Sequence, residues 1–229
     1  MSTTDAGVVI VSGGMDSAVT ASIAAGEVSR LHFLHVNYGQ RTERKELACF
    51  EALCDHFRAT GRLVADLRQL AAIGGSSLTD PGIPVEAADL DRKTFPSSYV
   101  PFRNAHLLAA AVSWAEVLGA SSVYIGAIAV DGSGYPDCRP EFYAAFQRVI
   151  DTGTGIGPAL RIRTPVIGMT KAEVVRTGLR LGTPFHLTWS CYQAEDAACG
   201  ACDSCALRLR GFREAGAEDP IAYKKKIGT

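Results

Sequence analysis

The chain has 229 residues, 47% of them hydrophobic and 21% charged, with a net charge of −1 at pH 7. That is the composition of a globular protein with a sizeable core, long enough for one large α/β domain and a small appendage. It excludes a generally basic, nucleic-acid-coating surface, and no apolar run approaches the ~20 residues of a membrane helix. The polar start, Met-Ser-Thr-Thr-Asp-Ala-Gly, has no basic region followed by an apolar core, so no signal peptide and a cytoplasmic location are expected. There most of the seven cysteines would stay reduced.

The first element is the β-branched run Val8 to Val11, which predicts a strand buried on both faces. It runs into Ser12-Gly13-Gly14-Met15-Asp16-Ser17. The glycines allow a sharp turn and a close ligand approach. A helix over 18–25 should follow, with Asp16 or Ser17 as its cap. The free amides and positive dipole end of such a helix form an anion site, for which a nucleotide phosphate is the natural guest. The Gly-x-x-x-x-Gly-Lys-Ser/Thr pattern of the common P-loop is absent, and a ligand-free tight turn is an equal alternative on the glycines alone.

A second strand over 31–36 ends in Asn37-Tyr38-Gly39-Gln40-Arg41, and a helix over 42–58 buries Leu47, Phe50, Leu53, Cys54 and Phe57. Cys49 and Cys54 should pack as small apolar groups. A third strand spans 62–67. Strand-helix-strand-helix-strand implies parallel pairing and right-handed crossovers, with ligands at the C-terminal strand ends. Residues 68–101 then hold four prolines and Gly74-Gly75-Ser76-Ser77, and read as a lid or substrate loop or as a solvated insertion.

Arg103-Asn104 opens an apolar helix to about Leu118, with Trp114 as core, and a fourth strand covers 123–128. Its end carries Asp131-Gly132-Ser133-Gly134-Tyr135-Pro136-Asp137-Cys138-Arg139. Arg139 suits bidentate contact with a carboxylate or phosphate, and the alternative is a Gly/Pro turn with a capping aspartate. Cys138 precedes a helix over 141–151 whose dipole would lower its pKa. Residues 162–167 read as an edge strand or connector, and Thr170-Lys171-Ala172-Glu173 as a capping box opening a helix to Leu181. Lys171 in that first turn opposes the dipole, which points to a phosphate partner or to plain solvation.

Cys191, Cys199, Cys202 and Cys205 fall within fifteen residues, spaced C-x7-C-x2-C-x2-C. Four thiolates at this spacing suit a structural, closed zinc site, and an iron–sulfur cluster is the alternative. A basic helix over 207–214 follows, regular structure ends at Asp219-Pro220, and Lys224-Lys225-Lys226 forms a charged tail. Residues 1–187 are expected to form the α/β domain and 188–229 the zinc-binding extension.

Taken together, the Ser-Gly-Gly-x-Asp-Ser loop resembles that of the N-type ATP pyrophosphatases, the PP-loop superfamily. Within it the chain resembles the 7-cyano-7-deazaguanine synthase (QueC) family. The resemblance rests on Tyr38-Gly39-Gln40-Arg41, Ser77-Leu78-Thr79, Val100-Pro101 with Arg103-Asn104, Gly134-Tyr135-Pro136-Asp137-Cys138-Arg139, Lys171-Ala172-Glu173 and the cysteine cluster. These pieces run from residue 8 to about 213. Phe102 departs from the pattern, standing where many members carry glycine.

The resemblance implies a Rossmann-like parallel sheet of the adenine nucleotide alpha hydrolase type, helices on both faces, and a C-terminal zinc-binding extension. It implies activation of 7-carboxy-7-deazaguanine by ATP, capture by ammonia to an amide, and a second activation and dehydration to the nitrile, in queuosine biosynthesis. Val11, Ser12, Gly13, Gly14, Met15, Asp16 and Ser17 would hold ATP. Asp16, Ser17 and Lys171 would act in catalysis, with Asp16 reaching Mg²⁺ and Lys171 stabilising pyrophosphate. Tyr38, Gln40, Arg41, Arg103, Asn104, Asp131, Tyr135, Asp137 and Arg139 would hold the deazapurine and its carboxylate. A homodimer is expected, with no nucleic-acid or membrane partner. Another PP-loop ligase, tRNA-modifying or deazaguanine-attaching, stays open beside this reading, as does a non-catalytic nucleotide-binding zinc module.

Overall fold

Alternation along the first strand sets the layers. In β1 (Ala6–Ile10) and the residue after it, Val8 and Ile10 face one side and Val9 and Val11 the other, all buried. Both faces must therefore be covered, as in a parallel sheet flanked by helices. The structure, a computed structural model, describes residues 5–130 and 134–224. Its remaining strands are β2 (Arg30–Asn37), β3 (Gly61–Asp66), β4 (Ser122–Ile125) and β5 (Arg161–Arg163). They form one five-stranded sheet in the order β3-β2-β1-β4-β5. Every pairing is parallel, with Val9 opposite Phe33 on one side and Tyr124 on the other.

The first face is covered by α4 (Arg103–Leu118) and α5 (Pro140–Gly153), which set Leu108, Ala111, Val112 and Ile150 against Val8, Ile10 and Leu34. The second is covered by α1 (Met15–Glu27) and α2 (Glu43–His56), through Ala18, Ala21, Ala24, Phe50, Leu53 and Cys54. Small alanines bring α1 close to the sheet, and each buried Leu or Phe contributes about 1.5–3 kcal/mol of transfer free energy. Next to α1 lie α6 (Lys171–Leu181) and α7 (Asp203–Ala215), joined through Val19, Val174, Val175, Phe185 and Phe212.

Several boundaries differ from the sequence reading. The first helix begins at Met15 because Gly14, not a polar side chain, takes the cap position. The fourth strand stops at Ile125, where Gly126 meets α1. Helix α7 starts right after Cys202, so Cys205, the last cysteine of the cluster, lies inside it. The loop over 68–101 contains a short helix, α3 (Gln69–Ile73), and is tied down at many points. Ala88 N–H donates to Ala201 O at 2.8 Å and Asp89 N–H to Asp203 Oδ1 at 2.9 Å. Leu70, Leu78 and Val100 close over Tyr38. The C-terminal segment is anchored by a buried pair, in which Arg208 donates through Nε and Nη2 to Asp219 at 2.8 and 2.9 Å. Among the described residues no helix is long and apolar enough to cross a membrane. The tail residues Lys225 and Lys226 lie outside the described residues.

The strand order reverses direction between β1 and β4: β2 and β3 extend to one side, β4 and β5 to the other. Helices leave the two central strands on opposite faces there, opening a crevice beyond their carboxyl ends.

Candidate functional site

The chain leaves β1 under restraint. Val11 N–H donates to Leu34 O at 2.8 Å, and Val11 O accepts from His35 Nδ1 at 2.9 Å. Burial pushes the His35 pKa down, so the ring acts as a neutral donor at pH 7. Gly13 follows with φ +85°, and a Cβ there would stand 2.7 Å from Glu46 O. The loop then closes on itself: Ser12 Oγ accepts from Gly14 N–H at 3.2 Å, and Ser17 Oγ donates to Gly14 O at 2.9 Å. Gly14 carries no side-chain cap, so neither Asp16 nor Ser17 caps α1 as expected. Both lie inside its first turn. That turn rests on the end of β4, where a Cβ on Gly126 would come within 2.9 Å of the Asp16 and Ser17 backbone.

Lys171 is 8% exposed and opens α6 behind the expected capping box: Glu173 N–H donates to Thr170 Oγ1 at 3.2 Å, Thr170 N–H to Glu173 Oε2 at 2.8 Å. Its ammonium reaches across to Asp16 Oδ2 at 2.5 Å. The other carboxylate oxygen, Asp16 Oδ1, is buried with no hydrogen-bond partner. An orphaned anionic oxygen beside the free amides of α1 fits a hard divalent cation as a ligand.

These groups share a cavity of about 250 Å³ at the switch point. Of the sequence-predicted residues, Val11, Ser12, Gly14, Met15, Asp16, Ser17, Tyr38, Arg103, Asn104, Tyr135 and Lys171 line it. Arg103 Nη1 donates to Tyr38 Oη at 2.9 Å, and its guanidinium lies 5.2 Å from the ring centre. Burial pushes the Tyr38 phenol up to about 12. Tyr135 Oη pairs with Ser98 Oγ at 2.9 Å.

Other predicted residues stand behind the wall. Asp137 Oδ2 accepts Asn104 N–H at 2.9 Å, and Asn104 Nδ2 donates to Asp137 O at 2.9 Å, so Asp137 fixes the start of α4. Gln40 Oε1 accepts Tyr38 N–H at 2.9 Å. Arg41 donates to the carbonyls of Ser77, Asp80 and Ile83 at 2.6–2.8 Å and holds the 68–101 loop. Arg139 lines a second cavity of about 450 Å³ with Arg92, Asp203 and Arg210. Asp131 lies outside the described residues, with Gly132 and Ser133. Cys138 overturns the dipole expectation: it is packed against Asn104, and burial pushes its thiol up to about 11.

Sequence reasoning missed Glu46, Trp189 and Tyr192, which also line the first cavity. Glu46 Oε1 accepts from Thr42 Oγ1 at 2.7 Å and Oε2 from Gln40 Nε2 at 3.1 Å. Burial pushes its carboxyl up to about 7, against the opposing donors Thr42 and Gln40 and the charge of Arg103. The missed signal is spacing. Glu46 precedes Phe50 by four residues and Leu53 by seven, which puts it on the apolar face of α2 despite its charged neighbours.

The four C-terminal cysteines converge, with all four Sγ atoms within 4.8 Å of one another. Cys191 Sγ accepts N–H groups from Gln193 at 3.4 Å and Cys199 at 3.3 Å, and Cys199 Sγ accepts from Ala201 at 3.4 Å. Such donors favour thiolates, and the all-sulfur donor set fits tetrahedral zinc with no open position. This knuckle touches the site directly: Trp189 N–H donates to Gly13 O at 2.8 Å.

The family model for the queuosine biosynthesis protein QueC matches residues 6–216. The 7-cyano-7-deazaguanine synthase of Chlorobaculum tepidum is 55% identical over 217 residues, covering 95% of this chain and 96% of that one. That of Chlorobaculum parvum is also 55% identical over the same shares. Among solved structures, an NMN synthetase from Francisella tularensis superimposes with a TM-score of 0.47 at 17% identity, over 80% of this chain and 64% of that one. The family-model match and the synthase relatives span the Ser12–Ser17 loop, the Arg103–Asn104 turn and the cysteine cluster alike, and the chain belongs to the QueC family.

Proposed function

We propose that the protein is a 7-cyano-7-deazaguanine synthase, converting 7-carboxy-7-deazaguanine and ammonia to the nitrile at the expense of two ATP. One observation carries the reading: the switch-point cavity gathers the Ser12–Ser17 loop, the Asp16–Lys171 pair and the Arg103–Asn104 turn into one space. Curated relatives of that name share over half of the sequence.

A carboxylate is a poor electrophile, and transfer of AMP to its oxygen supplies a leaving group. The amides of α1 and the Ser12 and Ser17 hydroxyls face the phosphates. Mg²⁺, held by Asp16 Oδ1, would screen triphosphate charge. Lys171 neutralises charge developing on pyrophosphate as it departs. Arg103 pairs with the substrate carboxylate, and Asn104, Tyr38 and Tyr135 orient the ring. Positioning of the two substrates supplies much of the rate.

Zinc at Cys191, Cys199, Cys202 and Cys205 is structural in this reading, holding Trp189 and Tyr192 against the cavity. Residues 188–229 are its extension on a domain of residues 1–187, with 68–101 as the substrate loop, and the active form is a homodimer in the cytoplasm. Light scattering after size exclusion tests the dimer.

The decisive assay incubates the protein with 7-carboxy-7-deazaguanine, ATP, Mg²⁺ and ammonium and follows product by mass spectrometry. The nitrile is expected, with two AMP formed per nitrile. ATP consumption without nitrile would assign another acceptor, and no consumption would overturn the enzyme reading.

A further inference from the structure

The reaction proposed above leaves a proton problem that none of its assigned residues solves. Ammonia is mostly ammonium at neutral pH. In the amide step its nitrogen sheds one proton to expose the lone pair and a second after the C–N bond forms and the C–O bond to AMP breaks. In the nitrile step the amide oxygen attacks the α-phosphorus, pyrophosphate leaves and one N–H proton departs. The C–O bond to AMP then breaks as the last N–H proton is lost and the C≡N bond forms. Each half therefore needs a group that accepts protons from nitrogen.

Only two carboxylates line the cavity among the described residues, Asp16 and Glu46. Asp16 is engaged by Lys171 and lies in the first turn of α1 behind the Ser12–Gly14 loop. Lys171 and Arg103 are cations, Tyr38 titrates at about 12 and Cys138 at about 11, so none of these accepts a proton at neutral pH. Glu46 stands between the phosphate loop, which touches its backbone at Gly13, and Arg103 of α4. Thr42 and Gln40 take one lone pair on each of its oxygens and leave the others open.

We propose that Glu46 is the proton acceptor for the reacting nitrogen in both halves of the reaction, and that it returns each proton to solvent as AMP and pyrophosphate leave. The inference rests on the proposed synthase reaction. A carboxyl titrating at about 7 is matched to this task near neutral pH. The groups that set its charge are Arg103 from α4, Tyr38 from the end of β2, and Glu43 and Cys49 on its own helix.

The test compares wild type with Glu46→Gln in three reactions. ATP–pyrophosphate exchange with 7-carboxy-7-deazaguanine forms the acyl adenylate, involves no nitrogen, and reports folding of the site. It should stay within about twofold of wild type, while amide formation from ammonium at pH 7 falls by about 10²-fold. The acid limb of the wild-type rate profile near pH 7 should disappear. Hydroxylamine, whose nitrogen is largely neutral at that pH, should restore capture to near the wild-type rate. Glu46→Asp keeps a carboxylate and should retain the limb, which preserves the test if the Gln variant melts early.

An unchanged limb and rate in Glu46→Gln would overturn the proposal, as would equal loss of exchange and amide formation, the signature of a purely structural role. A wild type that makes neither amide nor nitrile would overturn the synthase reading itself, whatever Glu46 does.

Discussion

The Lys171 ammonium donates to Asp16 Oδ2 at 2.5 Å, joining residues 155 positions apart across the first turns of α6 and α1. A cation opening a helix opposes the macrodipole, whereas an anion there is favoured. Pairing the two offsets the Lys171 cost and leaves Asp16 Oδ1 as a buried, unpartnered acceptor beside the glycine loop.

Asp16→Asn keeps the shape and removes the charge. Lys171, with its side chain 10% exposed, then loses its anion, and the loop loses its hard oxygen ligand. Pyrophosphate release should fall to background, and urea unfolding should report a loss of about 1–3 kcal/mol, between the surface and buried limits for an ion pair. Wild-type turnover would remove Asp16 from the phosphate site.

Glu46 makes stability depend on pH. Its folded pKa of about 7 lies above the ordinary carboxylate value, so the folded state binds the proton more tightly than the unfolded chain. The resulting contribution is full at pH 4 and is lost as pH rises through about 7. Relative to wild type, Glu46→Gln should therefore gain stability between pH 5 and 8, by up to a few kcal/mol on the order of the shift. Urea midpoints for both proteins across that range check the sign, and parallel curves would contradict it.

Metal binding should hold the C-terminal knuckle together. Metal analysis of fresh protein should find about one zinc per chain and no iron or sulfide. Cys202→Ser, or chelation under denaturing stress, should cost about 2 kcal/mol or more, lowering Tm by about 4–8 °C for a chain of this size. Trp189 fluorescence should shift in the same transition, because its indole Nε1 donates to Ala194 O at 2.8 Å within the knuckle. A brown, iron-containing protein would replace zinc in this account.

Phe102 adopts φ +57°, a left-handed conformation that suits glycine better than a bulky side chain. The residue is 59% exposed, and its ring packs edge-on to His106 and Phe142 and does not line the cavity. Backbone strain and ring contacts oppose each other at about 1 kcal/mol apiece. Phe102→Gly should change stability by less than about 1 kcal/mol and leave nucleotide consumption unchanged. A large fall in substrate affinity would give the ring a binding role.

What was legible in the sequence was local. Val8 to Val11 announced a strand buried on both faces, the Thr170–Glu173 box a helix start, and the cysteine spacing a metal knuckle. Each depends on neighbours a few residues apart, where periodicity, capping and ligand spacing act directly. The alternation of strands and helices likewise implied the parallel sheet.

Which polar groups share a space was settled only by tertiary packing. Arg41 and Gln40 sit beside Tyr38 in sequence, yet only Tyr38 lines the cavity, because Arg41 is spent on loop carbonyls. Asp137 turns to Asn104, and Arg139 to a second cavity. Glu46 stands in a charged run, and only the packing of α2 against the glycine loop and Arg103 makes it a half-buried acid with a raised pKa. Burial and long-range pairing alter a group's charge and reach, and both arise from segments distant in the chain. The sequence by itself determined the glycine loop, the cysteine cluster and the layered sheet; the fold alone decided that Asp16 meets Lys171 and that Glu46 lines the same cavity.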